Sequence, residues 1–233
     1  MSAKARVRER GRPHGWRGGV RIGSGLAVAA FALAVSFGAA AVTEGWPAWL
    51  VVLMSAVVFA GGAQFALVIA FSGGGGTMAA LGAATLINLR FVPMAVTASR
   101  SLIGGRWVRS VHAQAVVDGS WAAAHRPDGS VDRELMIAAS LMQWPAWVAG
   151  TAIGAYLTPG PDLAHALGLD TIFPAFFLVF VLDSLRDEPR HRSTVFLAAL
   201  IAAMMCWFVP PGIALLCAGI ASLLALRETR RRA

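Results

Sequence analysis

Residues 24 to 42, SGLAVAAFALAVSFGAAAV, run for 19 positions without a charged side chain. Six more predominantly apolar runs follow, at 48–71, 77–102, 135–157, 170–185, 193–209 and 211–226. A hydrocarbon layer about 30 Å thick is crossed by ~20 apolar residues in a helix. A helix also closes its backbone hydrogen bonds within one segment, which lipid demands. Composition agrees: 57% of the 233 residues are hydrophobic and 14% charged, with mean hydropathy +0.65. A soluble domain carries roughly 25% charged residues. Lipid is therefore the solvent for most of the chain. The expected fold class is all-α, a polytopic membrane protein.

The net charge of +8 is concentrated at the ends and in the links, which argues against a nucleic-acid partner. Lys4, Arg6, Arg8, Arg10, Arg12, Arg17 and Arg21 crowd the start, and Arg227, Arg230, Arg231 and Arg232 crowd the end. By the positive-inside rule, both tails, the link at 103–134 and the loop at 183–192 face the cytoplasm. The segments 43–47 and 158–169 hold no Lys or Arg and face outward. The organisation is then a basic cytoplasmic tail at 1–23, a membrane domain at 24–226 and a second basic tail at 227–233. AAA at 39–41 resembles a signal-peptidase site, but the long basic lead and the later spans favour a retained first helix.

This orientation creates a parity conflict. The first helix leaves the chain outside at 43–47, yet two apolar runs separate that point from an inside link at 103–134. Two full crossings would leave the link outside, against its arginines. One run must fail to cross as a straight helix: either 48–71, broken at GGAQ, or 77–102, broken at NLR. The architecture expected is six full spans plus one broken, re-entrant hairpin, or seven helices, with both termini cytoplasmic. Non-helical backbone persists at membrane depth only when buried in protein or lining a cavity. A site is expected at those breaks.

Arg90 stands deep in its run, three residues before Pro93. It either snorkels to the interface or, at a break, meets a carboxylate bidentately or caps freed carbonyls. Gln64 and Asn88 either tie helices together or bind a polar head group beside an opened backbone. Asp118, in VVDGSWAAA, is a solvated loop acid or a group that takes an ammonium or a proton. Asp170, in LGLDTIF, is a helix N-cap or does the same. Asp183, near Arg186, reads as an interfacial cap. Trp46 and Trp49 bracket Pro47 as interface anchors, whereas Trp144, beside Gln143, suits a pocket wall. The substrate-binding candidates are Gln64, Asn88, Arg90 and Trp144, with Asp118 and Asp170 for coupling or for the ammonium.

No enzyme is expected. FSGGGGT lacks the lysine of a phosphate-binding loop, and there is no GxSxG. The five histidines fall in tails or loops, so no helical pair would hold zinc or haem within the bilayer. Cys206 and Cys217, inside apolar runs, read as small hydrophobes. No metal or cofactor is expected.

The stretches GGAQFALVIAF, TLINLRFVPMAV, DGSWA, QWPAWVAGTAIGAYL and LGLDTIFPAFFLVFVLD occur in that order. Together they resemble the AzlC family, the large subunits of two-component branched-chain amino-acid exporters, across residues 24–226. Two positions depart from the family pattern: the histidine that usually follows NLR is Phe91, and the acidic pair is Asp118–Gly119. The resemblance implies outward transport of valine, leucine and isoleucine, sometimes methionine, driven by the membrane potential or a proton gradient. It also implies residence in the cytoplasmic (inner) membrane of a bacterium and a small AzlD-like membrane partner. The alternative from another class is a non-transporting membrane scaffold or regulatory subunit.

Overall fold

The computed structural model describes residues 13–126, 129–157 and 192–209, with the single positions 178, 182, 185 and 217. The described residues form helices and no strand: α1 (Gly15–Thr43), α2 (Ala48–Val58), α3 (Gly61–Ala70), α4 (Gly76–Asn88), α5 (Phe91–Ser99), α6 (Arg106–Ala113), α7 (Asp118–Ala124), α8 (Arg133–Leu157) and α9 (Arg192–Met205). Apart from those single positions, the apolar runs expected at 170–185 and 211–226 lie outside the described residues, as does Asp170. With 29 and 25 residues, α1 and α8 extend about 44 and 38 Å, more than a bilayer core requires.

The chain divides into two compact units, one within 1–34 and 90–150, the other within 35–89 and 151–233. In the first unit, α1 and α8 run parallel. Gly19 and Gly23 of α1 lie against Leu135, Ala138, Ala139 and Met142, and Gly150 of α8 lies against Phe31 and Ala34. A Cβ on Gly19 would come within 2.5 Å of the Leu135 carbonyl oxygen, so the two backbones touch there. A core of Ala98, Ala115, Val116, Ala124, Val131, Leu135 and Met136 joins α5, α7 and α8.

In the second unit the same device continues, with Gly38 of α1 against Thr151 and Ala155, and Gly154 of α8 against Val35 and Ala39. Apolar side chains gain little by leaving lipid for protein, so close backbone approach over small residues supplies the van der Waals energy of association.

The second unit also shows how the run 48–71 is broken. α2 ends at Phe59, whose φ of 35° is left-handed, and Ala60 follows at φ −137°, ψ 72°. Were α2 and α3 collinear, Trp46 and Phe71 would stand about 37 Å apart. Their rings instead meet with centroids 5.5 Å apart. The run therefore turns back at Phe59–Ala60 and ends beside its own start.

The glycines of FSGGGG then reverse the chain again, with Gly74 at φ 78° and Gly76 at φ 68°. Such values cost glycine nothing, having no Cβ to clash. α3 and α4 pack against each other through Ala66, Ala70, Ala80 and Ala83. By length and composition, residues 61–88 could cross a membrane as one helix. Folded in two, they make rods of only about 15 and 20 Å.

At NLR the interruption is milder. Leu89 and Arg90 keep right-handed helical dihedrals, with φ of −55° and −60°. Pro93 has no N–H to give the Leu89 carbonyl, and the hydrogen-bonding register lapses there. Both candidate runs are thus interrupted, and 48–71 folds back on itself.

Candidate functional site

Arg90 occupies the residue before α5, where Pro93 has loosened the helix, and Asp118 is the first residue of α7. An acid in a first turn faces unpaired backbone N–H groups and the positive end of the helix dipole. Packing within the first unit brings the two side chains together, and Arg90 Nη2 donates to Asp118 Oδ2 at 2.7 Å. The pair is neither sealed nor bathed, with side chains 27% and 39% exposed. The guanidinium carbon also lies 5.1 Å from the centre of the Phe91 ring, within cation–π range.

The pair is monodentate. Arg90 Nε and Asp118 Oδ1 are both buried and have no hydrogen-bond partner among the described residues. A guanidinium carries five donors in a planar fork and a carboxylate accepts through two oxygens. Each ion therefore keeps unused capacity beside its neighbour. A molecule carrying both a carboxylate and an ammonium matches this arrangement, one end to each ion.

The surroundings fix the pair. Trp121 Nε1 donates to Thr97 Oγ1 at 3.0 Å and ties α7 to α5. Gly119, where the family resemblance would put a second acid, faces Gln143. A Cβ there would meet Gln143 Oε1 at 3.1 Å and Leu26 at 3.2 Å. Gln143 is held in turn by donating to the Ala139 carbonyl at 3.1 Å. The glycine and the glutamine thus fill one space between them. Trp144 is 43% exposed, while Trp147, on the next turn of α8, is buried. The buried indole is thus not the one picked out in the sequence.

Gln64 belongs to the second unit. It is buried beside the α2–α3 reversal and donates through Nε2 to Ser55 Oγ at 3.1 Å. Ser55 Oγ also shares a hydrogen bond with Thr151 Oγ1 at 2.8 Å. This chain of hydroxyl and amide groups clamps both arms of the hairpin to α8. Asn88, the last residue of α4, is in the same unit, and its Oδ1 is buried without a partner among the described residues. Of the residues singled out in the sequence, the structure therefore joins Arg90 to Asp118 directly. It sets Gln64 in a separate polar cluster, and Asp170 lies outside the described residues.

One further acid of the 103–134 link takes on a structural role. Asp132, just before α8, accepts from the Leu135 amide at 3.1 Å through Oδ1. Its Oδ2 accepts from the Gly15 amide at 3.1 Å and from Arg126 Nη2 at 2.8 Å. It caps α8 and fastens the start of α1 to it. Burial opposes the charged form, but the Gly15 and Leu135 amides and the Arg126 guanidinium outweigh it and hold the carboxyl below its ordinary value. The sequence signal was present: an aspartate three residues before the first leucine of an apolar run is an N-cap pattern.

Residues 25–159, more than half of the chain, match the model of the AzlC protein family. The chain belongs to the AzlC family. Its AzlC-family match extends from α1 through the end of α8 and takes in Gln64, Asn88, Arg90, Asp118, Asp132 and Trp144. The chain is 29% identical over 184 residues to the inner membrane protein YgaZ of Escherichia coli (strain K12), covering 74% of this chain and 73% of that protein. It is 21% identical over 177 residues to an uncharacterized membrane protein of Helicobacter pylori (strain ATCC 700392 / 26695), covering 75% and 76%. No solved structure matches. These relatives, and helices apolar enough to span a bilayer, make this AzlC-family chain a membrane protein.

Proposed function

We propose that this chain is the large subunit of a secondary transporter that exports branched-chain or other hydrophobic amino acids across the cytoplasmic membrane, with a small AzlD-like membrane protein as its partner. Membership of the AzlC family supports transport as the activity. The observation that carries the choice of substrate is the half-used ion pair of Arg90 and Asp118.

In this mechanism an amino acid enters head first. Its carboxylate takes the guanidinium fork of Arg90, and its ammonium takes the carboxylate of Asp118. The exchange replaces one ion pair by two and leaves the net charge of the site at zero. No unpaired charge is stranded away from water, which would cost several kcal/mol. When the substrate leaves, Arg90 and Asp118 close on each other again. Rocking of packed helices about the interrupted segments exposes the pair to either side in turn. Asp118 is also the group placed to exchange a proton for coupling, since Phe91 removes the histidine that the family pattern has after NLR.

Efflux of labelled valine from preloaded cells tests the proposal, comparing this chain alone, this chain with the small membrane protein encoded beside it, and the pair with Arg90→Ala. Partner-dependent efflux that disappears in the variant at normal membrane abundance is expected. Equal efflux in all strains, with the protein present in the membrane, would reject the branched-chain assignment in favour of a scaffold role.

A further inference from the structure

Residues 45–117 contain no aspartate or glutamate, and their charged residues are four arginines, Arg90, Arg100, Arg106 and Arg109. Three of these cluster at and around α6, a helix of eight residues, RWVRSVHA, that begins after Gly104 and Gly105. At about 100° per residue, Trp107, Val108 and Val111 fall in one sector of α6. Arg106, Arg109, Ser110 and His112 fill the rest. The apolar sector is turned outward: Trp107 is 87% exposed and Val111 70%, with Val108 and Ile103 exposed beside them. Arg109 Nη2 donates to the Ser99 carbonyl at 3.2 Å, which pins α6 to the end of α5. Arg100 and Arg106 are exposed and in no ion pair among the described residues.

We propose that α6 lies in the headgroup layer of the membrane as an anionic-lipid binding element. Ile103, Trp107, Val108 and Val111 enter the acyl boundary, and Arg100 and Arg106 sit on the phosphates of anionic phospholipids. A short basic helix with one apolar face and a tryptophan on it suits neither water nor the hydrocarbon centre. It suits the boundary between them. Charge selects the lipid: a segment with three arginines and no acid gains from anionic headgroups, whereas zwitterionic ones offer it no net attraction. This inference does not depend on what the protein transports.

The test uses the full chain with Cys206→Ala and Cys217→Ala, and Val111→Cys carrying an environment-sensitive fluorophore, in nanodiscs. Acyl-brominated phosphatidylglycerol or phosphatidylcholine serves as quencher at matched mole fraction. Quenching by both is expected, with the anionic lipid preferred severalfold at low salt. Arg100→Gln and Arg106→Gln should each reduce that preference, and together bring it close to one. High salt should weaken it by screening. Three results would overturn the proposal: no quenching by either lipid, which means that protein covers this face; equal quenching by the two lipids; or a preference that survives Arg100→Gln/Arg106→Gln. Both arginines and Val111 are exposed, so these variants leave the packing of the first unit untouched.

Discussion

The indole of Trp46 meets the ring of Phe71 edge-on, with centroids 5.5 Å apart and planes at 71°. Between them lie 24 residues, apolar enough to have crossed a bilayer. The contact joins the mouth of a hairpin whose tip is the left-handed Phe59. A non-glycine residue in that conformation costs roughly 1–2 kcal/mol. The hydrogen bonds from Gln64 to Ser55 and from Ser55 to Thr151 hold the arms against that strain.

The hairpin predicts sidedness. In a background lacking Cys206 and Cys217, Glu44→Cys and Thr77→Cys should both react with a membrane-impermeant thiol reagent from the same side of the membrane. Both positions are exposed, one before the hairpin and one after it. Reaction from opposite sides would mean that 48–71 crosses.

The Arg90–Asp118 pair predicts coupling. Arg90→Ala and Asp118→Ala should each destabilise the protein by about 1–3 kcal/mol, below the cost for a fully buried pair because both side chains are partly solvated. The double variant should cost less than the sum, since the two positions share one interaction. Arg90→Lys keeps the charge but loses the fork, so flux should drop about tenfold at near-normal abundance. Thermal unfolding and valine efflux measured on the same four variants check both statements.

The α1–α8 contact predicts a contrast between glycines. A Cβ at Gly154 runs into the Val35 carbonyl, so Gly154→Val should cost about 1–3 kcal/mol through overpacking. Gly25 has nothing within 4 Å of its would-be Cβ. Gly25→Ala should therefore be neutral or stabilise by up to about 1 kcal/mol through helix propensity. Equal unfolding midpoints for the two variants would remove the close contact from the account.

Asp132 predicts an acid dependence. Its carboxyl is held below the ordinary value, so the folded state binds its proton less readily than the unfolded one. The stabilisation is present above the unfolded value of about 3.9 and fades as pH falls through the lower folded value. Asp132→Asn keeps a capping oxygen but has no charge to lose, so its midpoint should fall less steeply on acidification. Asp132→Ala should cost about 1 kcal/mol near neutrality, as expected for a lost cap. Parallel melts of the detergent-solubilised full chain at stepped acid pH separate the three proteins.

Run length and composition announced the all-helical membrane character because burial in lipid is decided residue by residue. The turn at Gly74 and Gly76 was legible for a similar reason: only glycine takes those dihedrals freely. The N-cap at Asp132 was just as local and was passed over. The interruption at NLR could be located from Pro93, whose missing N–H breaks a helix wherever it stands.

What the sequence could not decide was which of two apolar runs turns back, because the reversal rests on Phe59, a residue with no local preference for left-handed backbone. That conformation persists beside a polar clamp from Ser55, Gln64 and Thr151, which lie up to 96 positions apart. Arg90 and Asp118 were each visible as unusual charges, but their pairing across 28 positions depends on α7 docking on α5 through Trp121 and Thr97. Likewise Trp147 rather than Trp144 is the buried indole, because the facing of α8 is set by its neighbours. Local chemistry determined where glycine and proline interrupt the helices and where the charges stand. Long-range packing alone decided which bend is a reversal and which charges meet, because those outcomes depend on contacts between residues far apart in the chain.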